Sequence, residues 1–378
     1  MDINNSTVKI KINPISHWVA DHIKQQDIVI VGAGIVGITA AIAAKSQFPS
    51  KEVIIIDKGT GYMGASTRNA GFACFGSPSE LLGDIEINGE AKALETLAMR
   101  WQGLQMLKGL VPKTDMQYLD NGGYEIFSDE ILQQKCSHNI SYLNDLICDI
   151  VKEKHTYAEV ETPLGKGILN KLEGTLHPAK MMSFLMGKAL QMGVKTLFQT
   201  EVLDIDTENQ TLTTDKGSIY YKQCILATNA WTAKIFPDMD IKPARNHVLV
   251  TQPLANCPIK GAYHMEEGYI YFRNIENRIL IGGARNLASN EETTYDMHMP
   301  NVSIINRLLE VLSKDILKGE SFEIAHAWTG LLGVGTDKMP IIKQHAPNCF
   351  LAVKMGGMGV AIGSYVGNEV ANLLVDIT

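Results

Sequence analysis

The segment Gly32-Ala33-Gly34-Ile35-Val36-Gly37 stands between an apolar run, Asp27-Ile28-Val29-Ile30-Val31, and an alanine-rich one, residues 38–44. Three glycines at this spacing, between a strand pattern and a helix pattern, leave few folds open. Gly32 permits a tight turn, Gly34 lets the backbone approach a pyrophosphate, and Gly37 lets the helix pack closely, while the first helical N–H groups and the helix dipole face the phosphates. A second apolar strand, Val53-Ile54-Ile55-Ile56, ends at Asp57, where a carboxylate accepts from an adenosine ribose and disfavours a 2′-phosphate. Strand, glycine turn, helix, strand and acid in this order predict an α/β unit that binds a dinucleotide other than NADP.

Residues 28–44 carry no charge, yet the run is short for a membrane span and its glycines are explained by the turn. The net charge of −7 offers no basic footprint to nucleic acid or to an anionic membrane. Residues 1–18 lack the apolar stretch of a secretory leader, so a cytoplasmic protein is expected. Cys74, Cys136, Cys148, Cys224, Cys257 and Cys349 show no CxxC spacing, and neither a disulfide framework nor a metal site is expected.

A loop of small residues follows over 59–79, then helix patterns over 91–110 and 131–154. His177-Pro178 opens a helix whose Met182, Leu185, Met186 and Ala189 mark a core face before Gly193 ends it. Short strands are expected over 194–198, 201–205, 211–214, 218–221 and 225–227, and a hairpin from 269–272 and 278–281. A last apolar strand, 350–353, leads into a second glycine cluster, MGGMGVAIG from Met355 to Gly363, and a closing helix.

In this order the motifs GAGIVG, GASTRNAGF, LHPAKMMSFL, TEVLDID, ILATNAW, YIYFRNIENRILIGGA, WTGLLGVGTDKMPII and MGGMGVAIG resemble the D-amino-acid oxidase superfamily of FAD-dependent oxidoreductases. That group contains glycine oxidase, sarcosine oxidase and gamma-glutamylputrescine oxidase, and the resemblance runs from Asp27 to the end. It implies an α/β fold: a discontinuous Rossmann-like FAD-binding domain, residues 27–90, 171–245 and 321–378, after an extension, 1–26. An α+β substrate domain on a mixed or antiparallel sheet would take residues 91–170 and 246–320. Trp18, in the extension, is expected to pack on the body or on a partner.

Carried over position by position, the resemblance sets Gly32, Ala33, Gly34, Ile35, Val36 and Gly37 at the pyrophosphate, Asp57 and Lys58 at the adenosine, and the backbone of Val202 near adenine. Ser66, Thr67, Arg68, Asn69, Ala70 and Gly71 would run beside pyrophosphate and flavin. Ala227, Thr228, Asn229 and Trp231 would line the cofactor, and Gly330 and Leu332 would lie against the flavin. Gly356, Gly357, Met358, Gly359 and Val360 would aim N–H groups at the electron-rich edge of the reduced ring, where fixed donors stabilise developing charge. Substrate contacts are expected from Tyr269, Trp328, Arg285 and Tyr271, with Tyr271 on the strand face opposite Tyr269.

The loop STRNAG holds no histidine and TGLLGVGTDKMP no cysteine, so FAD is expected to be non-covalent. The cofactor carries the hydride chemistry, and no catalytic triad is expected; His247, His264, His298 and His326 are read as structural or exposed. Relatives that take free amino acids place an arginine shortly after the Gly-Leu of the WTGLLG segment, where this chain has Leu331 and Leu332. The reading is therefore oxidation of the C–N bond of a small-molecule amine, preferably one lacking a carboxylate unless Arg273 or Arg285 anchors it, with O2 or another electron acceptor. The alternatives are a glycine or D-amino-acid oxidase or dehydrogenase, a 2-hydroxy-acid dehydrogenase, and a flavin-containing binding or RNA-modifying module, which the acidic balance opposes.

Overall fold

The computed structural model describes residues 16–376. Its centre is an eight-stranded sheet in which Gln25–Val31 runs parallel to Val53–Ile56 on one side and to Gly217–Leu226 on the other. Lys195–Leu197 extends the sheet beyond Val53–Ile56, while Cys349–Val353 and the antiparallel edge Ile341–Ala346 extend it beyond Gly217–Leu226. The strands are buried on both faces, which is why they read as unbroken runs of Ile and Val.

The two short strands expected at 218–221 and 225–227 are one strand, Gly217–Leu226. Its first half pairs with Thr211–Thr214, and its second half with Cys349–Val353. Lys222-Gln223 hid this continuity, because the buried Gln223 amide is satisfied far away in sequence, by the carbonyl of Val375. The helix expected over 131–154 is broken at Asn139, which ends Glu130–His138 and starts Ile140–Val151. Pro178–Gln191 forms as expected, and its methionines are buried in the main core.

Helices Ile35–Gln47 and Gly359–Ala371 cross closely through glycine: a Cβ at Gly367 would run into Thr39, and one at Gly363 would lie 2.6 Å from Ile35. The long helix Glu90–Leu110 packs on Gly359–Ala371 in the same way, Gly103 facing the carbonyl of Ala361. This helix, expected with the substrate domain, therefore shares the core of the dinucleotide half. No described helix is long and apolar enough to cross a membrane. In the short helix His17–Ile23, Trp18 is 79% exposed and, among the described residues, meets one aromatic ring, that of His17.

A second eight-stranded sheet covers the carboxyl ends of the first. Its order is Ile324–Val334, Lys242–Thr251, Arg278–Gly283, Ile270–Ile275, Ala262–Met265, Gly123–Ile126, Gly165–Asn170, Tyr157–Thr162, antiparallel except where Gly123–Ile126 meets Ala262–Met265. Ile324–Val334 lies in the segment 321–378, expected with the dinucleotide half, yet it pairs along Lys242–Thr251 in this cover sheet. One face of the sheet carries Leu249, Ile270, Phe272 and Ile281 against the helix Val302–Glu310. The other carries Val248, Val250, Leu280, Tyr271 and Trp328 against Ala70 and Phe72. Side chains two residues apart on a strand share a face. Tyr269 precedes the strand with helical backbone, so alternation does not turn it away from Tyr271; the two line one cavity and are not on opposite faces, while Ile270 and Phe272 take the far side.

The glycine contact gives a matched test. Gly103→Ala should lower unfolding stability by about 1–3 kcal/mol through overpacking. Gly109→Ala, on the same helix with nothing within 4 Å of its added methyl, should be neutral or stabilise by about 0.5–1 kcal/mol. Urea unfolding of the two variants measures the difference, and equal effects would show that the crossing is loose.

Candidate active site

Gly32 has φ +114°, and a Cβ there would come within 2.6 Å of the carbonyl of Ala227; a Cβ at Gly37 would collide with the carbonyl of Gly32. The turn is thus closed to side chains at two of its three glycines. Asp57 ties it to the second strand, accepting from Ala33 N at 2.7 Å and from Gly59 N at 2.7 Å. Gly34 caps Ile35–Gln47 without a side-chain acceptor, and Ser66 Oγ accepts from Ile35 N at 2.9 Å. Val36 lies just inside this helix. The ammonium of Lys58 lies 3.0 Å above the Trp231 ring and pairs with Glu201; burial lowers its pKa. Val202 is half-buried at the start of Val202–Asp206. Thr228 Oγ1 shares a hydrogen bond with Thr232, and Asn229 has φ +47°.

The loop after Asp57 is held from within and from above. Asn69 donates to the carbonyl of Ser66 at 2.8 Å and accepts from Gly71 N at 2.8 Å, while Thr67 Oγ1 donates to the carbonyl of Tyr62. Arg68 Nη1 donates to the carbonyl of Thr329 at 3.0 Å, and Trp328 Nε1 returns a bond to the carbonyl of Arg68 at 2.9 Å. Trp328 thus clasps the loop to the cover sheet and does not line the cavity below. Arg273, 7% exposed, donates to the carbonyls of Gly71 and Leu176, both at 2.8 Å. Burial brings its pKa down to about 10. With its donors on backbone carbonyls, Arg273 is not available as a carboxylate anchor.

Between this loop, the cover sheet and the second glycine cluster lies a cavity of about 610 Å³, within the range usual for small-molecule sites. It brings together Arg68, Asn69 and Ala70 from the loop, Gly330 and Leu332 from Ile324–Val334, and Gly356, Gly357, Met358 and Val360. The dinucleotide turn, Asp57 and residues 227–231 stand outside it. Tyr269, Tyr271 and Arg285 line it too. Tyr269 is 47% exposed, whereas Tyr271 lies over Gly282, where a Cβ would approach its ring to 2.7 Å, and accepts from Asn246 Nδ2 at 3.4 Å. Of the expected amides in the glycine cluster, Gly356 N donates to Gly333 O at 3.0 Å and Met358 N to Met355 O at 2.9 Å. Those two are engaged in closing the turn, so the row of free donors is shorter than expected.

The cavity also holds a group that no sequence pattern marks. Glu173, 2% exposed, accepts from Phe75 N at 2.8 Å and Gly76 N at 3.1 Å through Oε1, and burial pushes its pKa up to about 7. Its Oε2 lies 4.0 Å from His264 Nε2, and burial brings that imidazole down to about 4. The buried thiol of Cys74 completes the group, its pKa raised by burial. His264 shows a strand position and nothing more in sequence, and Glu173 sits in an ordinary turn.

Two buried amide oxygens near these walls, Asn246 Oδ1 and Asn229 Oδ1, have no hydrogen-bond partner among the described residues. A buried acceptor of this kind takes a donor from water or from a ligand. With a glycine at the helix N-cap and a turn bare of side chains, they fit a long anionic dinucleotide whose ring carries N–H groups. The family model for FAD dependent oxidoreductases matches residues 27–373. The chain belongs to that family. It is 24% identical to the probable oxidoreductase OrdL of Haemophilus influenzae over 93% of this chain and 84% of that one. L-proline dehydrogenase from P. horikoshii shares the fold with a TM-score of 0.73 at 21% identity, covering 93% of both chains. Glycine oxidase from Geobacillus kaustophilus gives a TM-score of 0.73 at 18% identity, covering 93% of this chain and 94% of that one. The cofactor of the family is FAD, and the fold is its α/β architecture of a parallel Rossmann-like sheet under a mostly antiparallel one.

Asp57→Ala leaves Ala33 N without its acceptor, at a cost of about 1–3 kcal/mol for an unmet buried donor. FAD retention through dialysis should fall, with the secondary structure by circular dichroism unchanged. Full retention would show that the turn holds its shape without the carboxylate.

Proposed function

We propose that this FAD-dependent oxidoreductase oxidises the C–N bond of an amino acid whose carboxylate meets Arg285. The observation that carries the reading is the state of the cations around the cavity. Arg68 is engaged by Thr329, Arg100 by Glu80 and the carbonyl of Phe75, and Lys338 by Glu80 and Asp84. Arg285, half-buried on the wall, has no hydrogen-bond or ion-pair partner among the described residues. A guanidinium can hold a carboxylate through two parallel hydrogen bonds, and a carboxylate entering such a cavity unpaired would be costly. Leu331 and Leu332 had favoured amines without a carboxylate; Arg285 supplies a cation from another segment and moves the reading to amino acids. L-proline dehydrogenase and glycine oxidase, to which the fold is similar, are consistent with this class.

FAD would be held by the turn 32–37, Asp57, the loop 66–71 and the glycine cluster, and when bound it supplies the hydride acceptor. The chain's own part is placement. Phe72, Tyr271, Val248 and Leu332 give the cavity apolar walls that exclude water, the hydroxyl of Tyr269 stands at the rim, and Asn246 Oδ1 offers an acceptor to an amine N–H. The reacting amine must be neutral, because its lone pair assists hydride loss. No attachment residue lies in the STRNAG or TGLLGVGTDKMP segments, so the cofactor is non-covalent in this reading.

Anaerobic stopped-flow reduction with amino acids, amines lacking a carboxylate, and 2-hydroxy acids tests the class. Amino acids should bleach the flavin fastest, and Arg285→Met should weaken their binding by about 2–5 kcal/mol while leaving the free flavin spectrum unchanged. Bleaching by simple amines or by hydroxy acids alone would overturn the assignment. Acid-precipitated protein should release FAD into a yellow supernatant, and a yellow pellet would mean covalent attachment.

A further inference from the structure

We propose that Glu173, His264 and Cys74 form a second subsite of the cavity that receives a basic nitrogen at the far end of the substrate, making the substrate an amino acid that ends in an amino group. This rests on the amino-acid reading above and narrows it.

Three separate elements converge to build the subsite. Glu173 lies in the turn before Gly174–Thr175, and its carboxylate lies over Gly123, where any Cβ would collide with it. Phe72–Ala73 pairs with Gly174–Thr175 and carries Cys74 to the same place. His264 stands on the cavity side of the cover sheet, opposite Tyr271 in register. All three line the cavity, and one ligand-type atom from each lies within 4.8 Å of the other two.

The spacing favours a hydrogen-bonded nitrogen over a metal ion. Glu173 Oε2 and His264 Nε2 are 4.0 Å apart, a distance that one nitrogen spans with bonds of about 2.8 Å to each. A tetrahedral zinc, with bonds of about 2.0–2.1 Å, would draw the same two atoms to about 3.3 Å. The chemistry points the same way. The amides of Phe75 and Gly76 are on Oε1, and the Cys74 thiol is the one further donor to the carboxyl, a weak one that an ammonium would displace from it. Burial keeps His264 neutral, so its ring has a lone pair to offer, and keeps Cys74 a thiol. A primary ammonium brings three donors and a positive charge to a buried carboxylate that no arginine or lysine side chain pairs with among the described residues.

The test uses the purified FAD-loaded protein and isosteric pairs: ornithine against norleucine, as both enantiomers, and lysine against 2-aminoheptanoate. Anaerobic flavin reduction should favour the amino-terminated member by at least about tenfold in the ratio of reduction rate to Kd, the usual size for a site built around a donor. Glu173→Gln should bring the ornithine-to-norleucine ratio, taken within the variant, close to one, and His264→Asn should reduce it. Equal rates for the pairs in the native protein would overturn the proposal without any variant, as would a preference that survives in Glu173→Gln. One equivalent of zinc retained through dialysis and lost in Cys74→Ser would reassign the cluster to a metal. Failure of every amino acid to bleach the flavin would instead remove the reading on which this subsite rests.

Discussion

The backbone of the loop at residues 65–76 must lie open to a cavity on one side, so its carbonyls need donors from the other. Arg273 meets this need from the middle of the cover sheet, holding the carbonyls of Gly71 and Leu176 with one nitrogen. Trp328 and Arg68 add a reciprocal pair of side-chain-to-carbonyl bonds at the sheet edge. A buried guanidinium bonded to carbonyls is costly to desolvate, and it lasts only where every partner is in place. The position of the loop, and with it the width of the cavity between two sheets, depends on this clasp.

Charge around the cavity follows the same economy of partners. Burial alone would raise the pKa of Glu80, but Arg100 and Lys338 bring it down to about 2. Asp337, held by Lys354 and Lys92, is likewise brought down to about 2. These pairs join the helices Pro78–Asn88 and Glu90–Leu110 to the crossing segment after Ile324–Val334, and so close the cavity structurally. Among the described residues that line the cavity, they leave over one half-buried cation, Arg285, and one buried carboxyl, Glu173, without an opposite charge from arginine, lysine, aspartate or glutamate, and these two carry the proposed chemistry.

The second sheet shows how alternation sorts function from core. Ile270 and Phe272 go to the helix side, Tyr271 and Arg273 to the cavity side, and Gly282 in the next strand gives Tyr271 the room to lie flat. The same strand thus builds a hydrophobic core with one face and an active-site wall with the other.

Sequence alone determined the dinucleotide turn, because its requirements are local: three glycines within six residues, two of them, Gly32 and Gly37, closed to a side chain by a nearby backbone carbonyl, and an acid at the end of the next strand. It also determined the buried strands, whose continuous apolar runs need no partner to be read. The tertiary structure decided the substrate end. Glu173, His264 and Cys74 come from three segments whose local patterns are those of a turn, a strand and a loop; the pairing of Phe72–Ala73 with Gly174–Thr175 joins two of them, and the cover sheet brings His264. Arg273 and Arg285 look alike in sequence, one in the first strand of a hairpin and the other just past its second strand. Whether a guanidinium is bound to carbonyls or left facing a cavity is set by what packs above it, and that comes from chain some two hundred residues away.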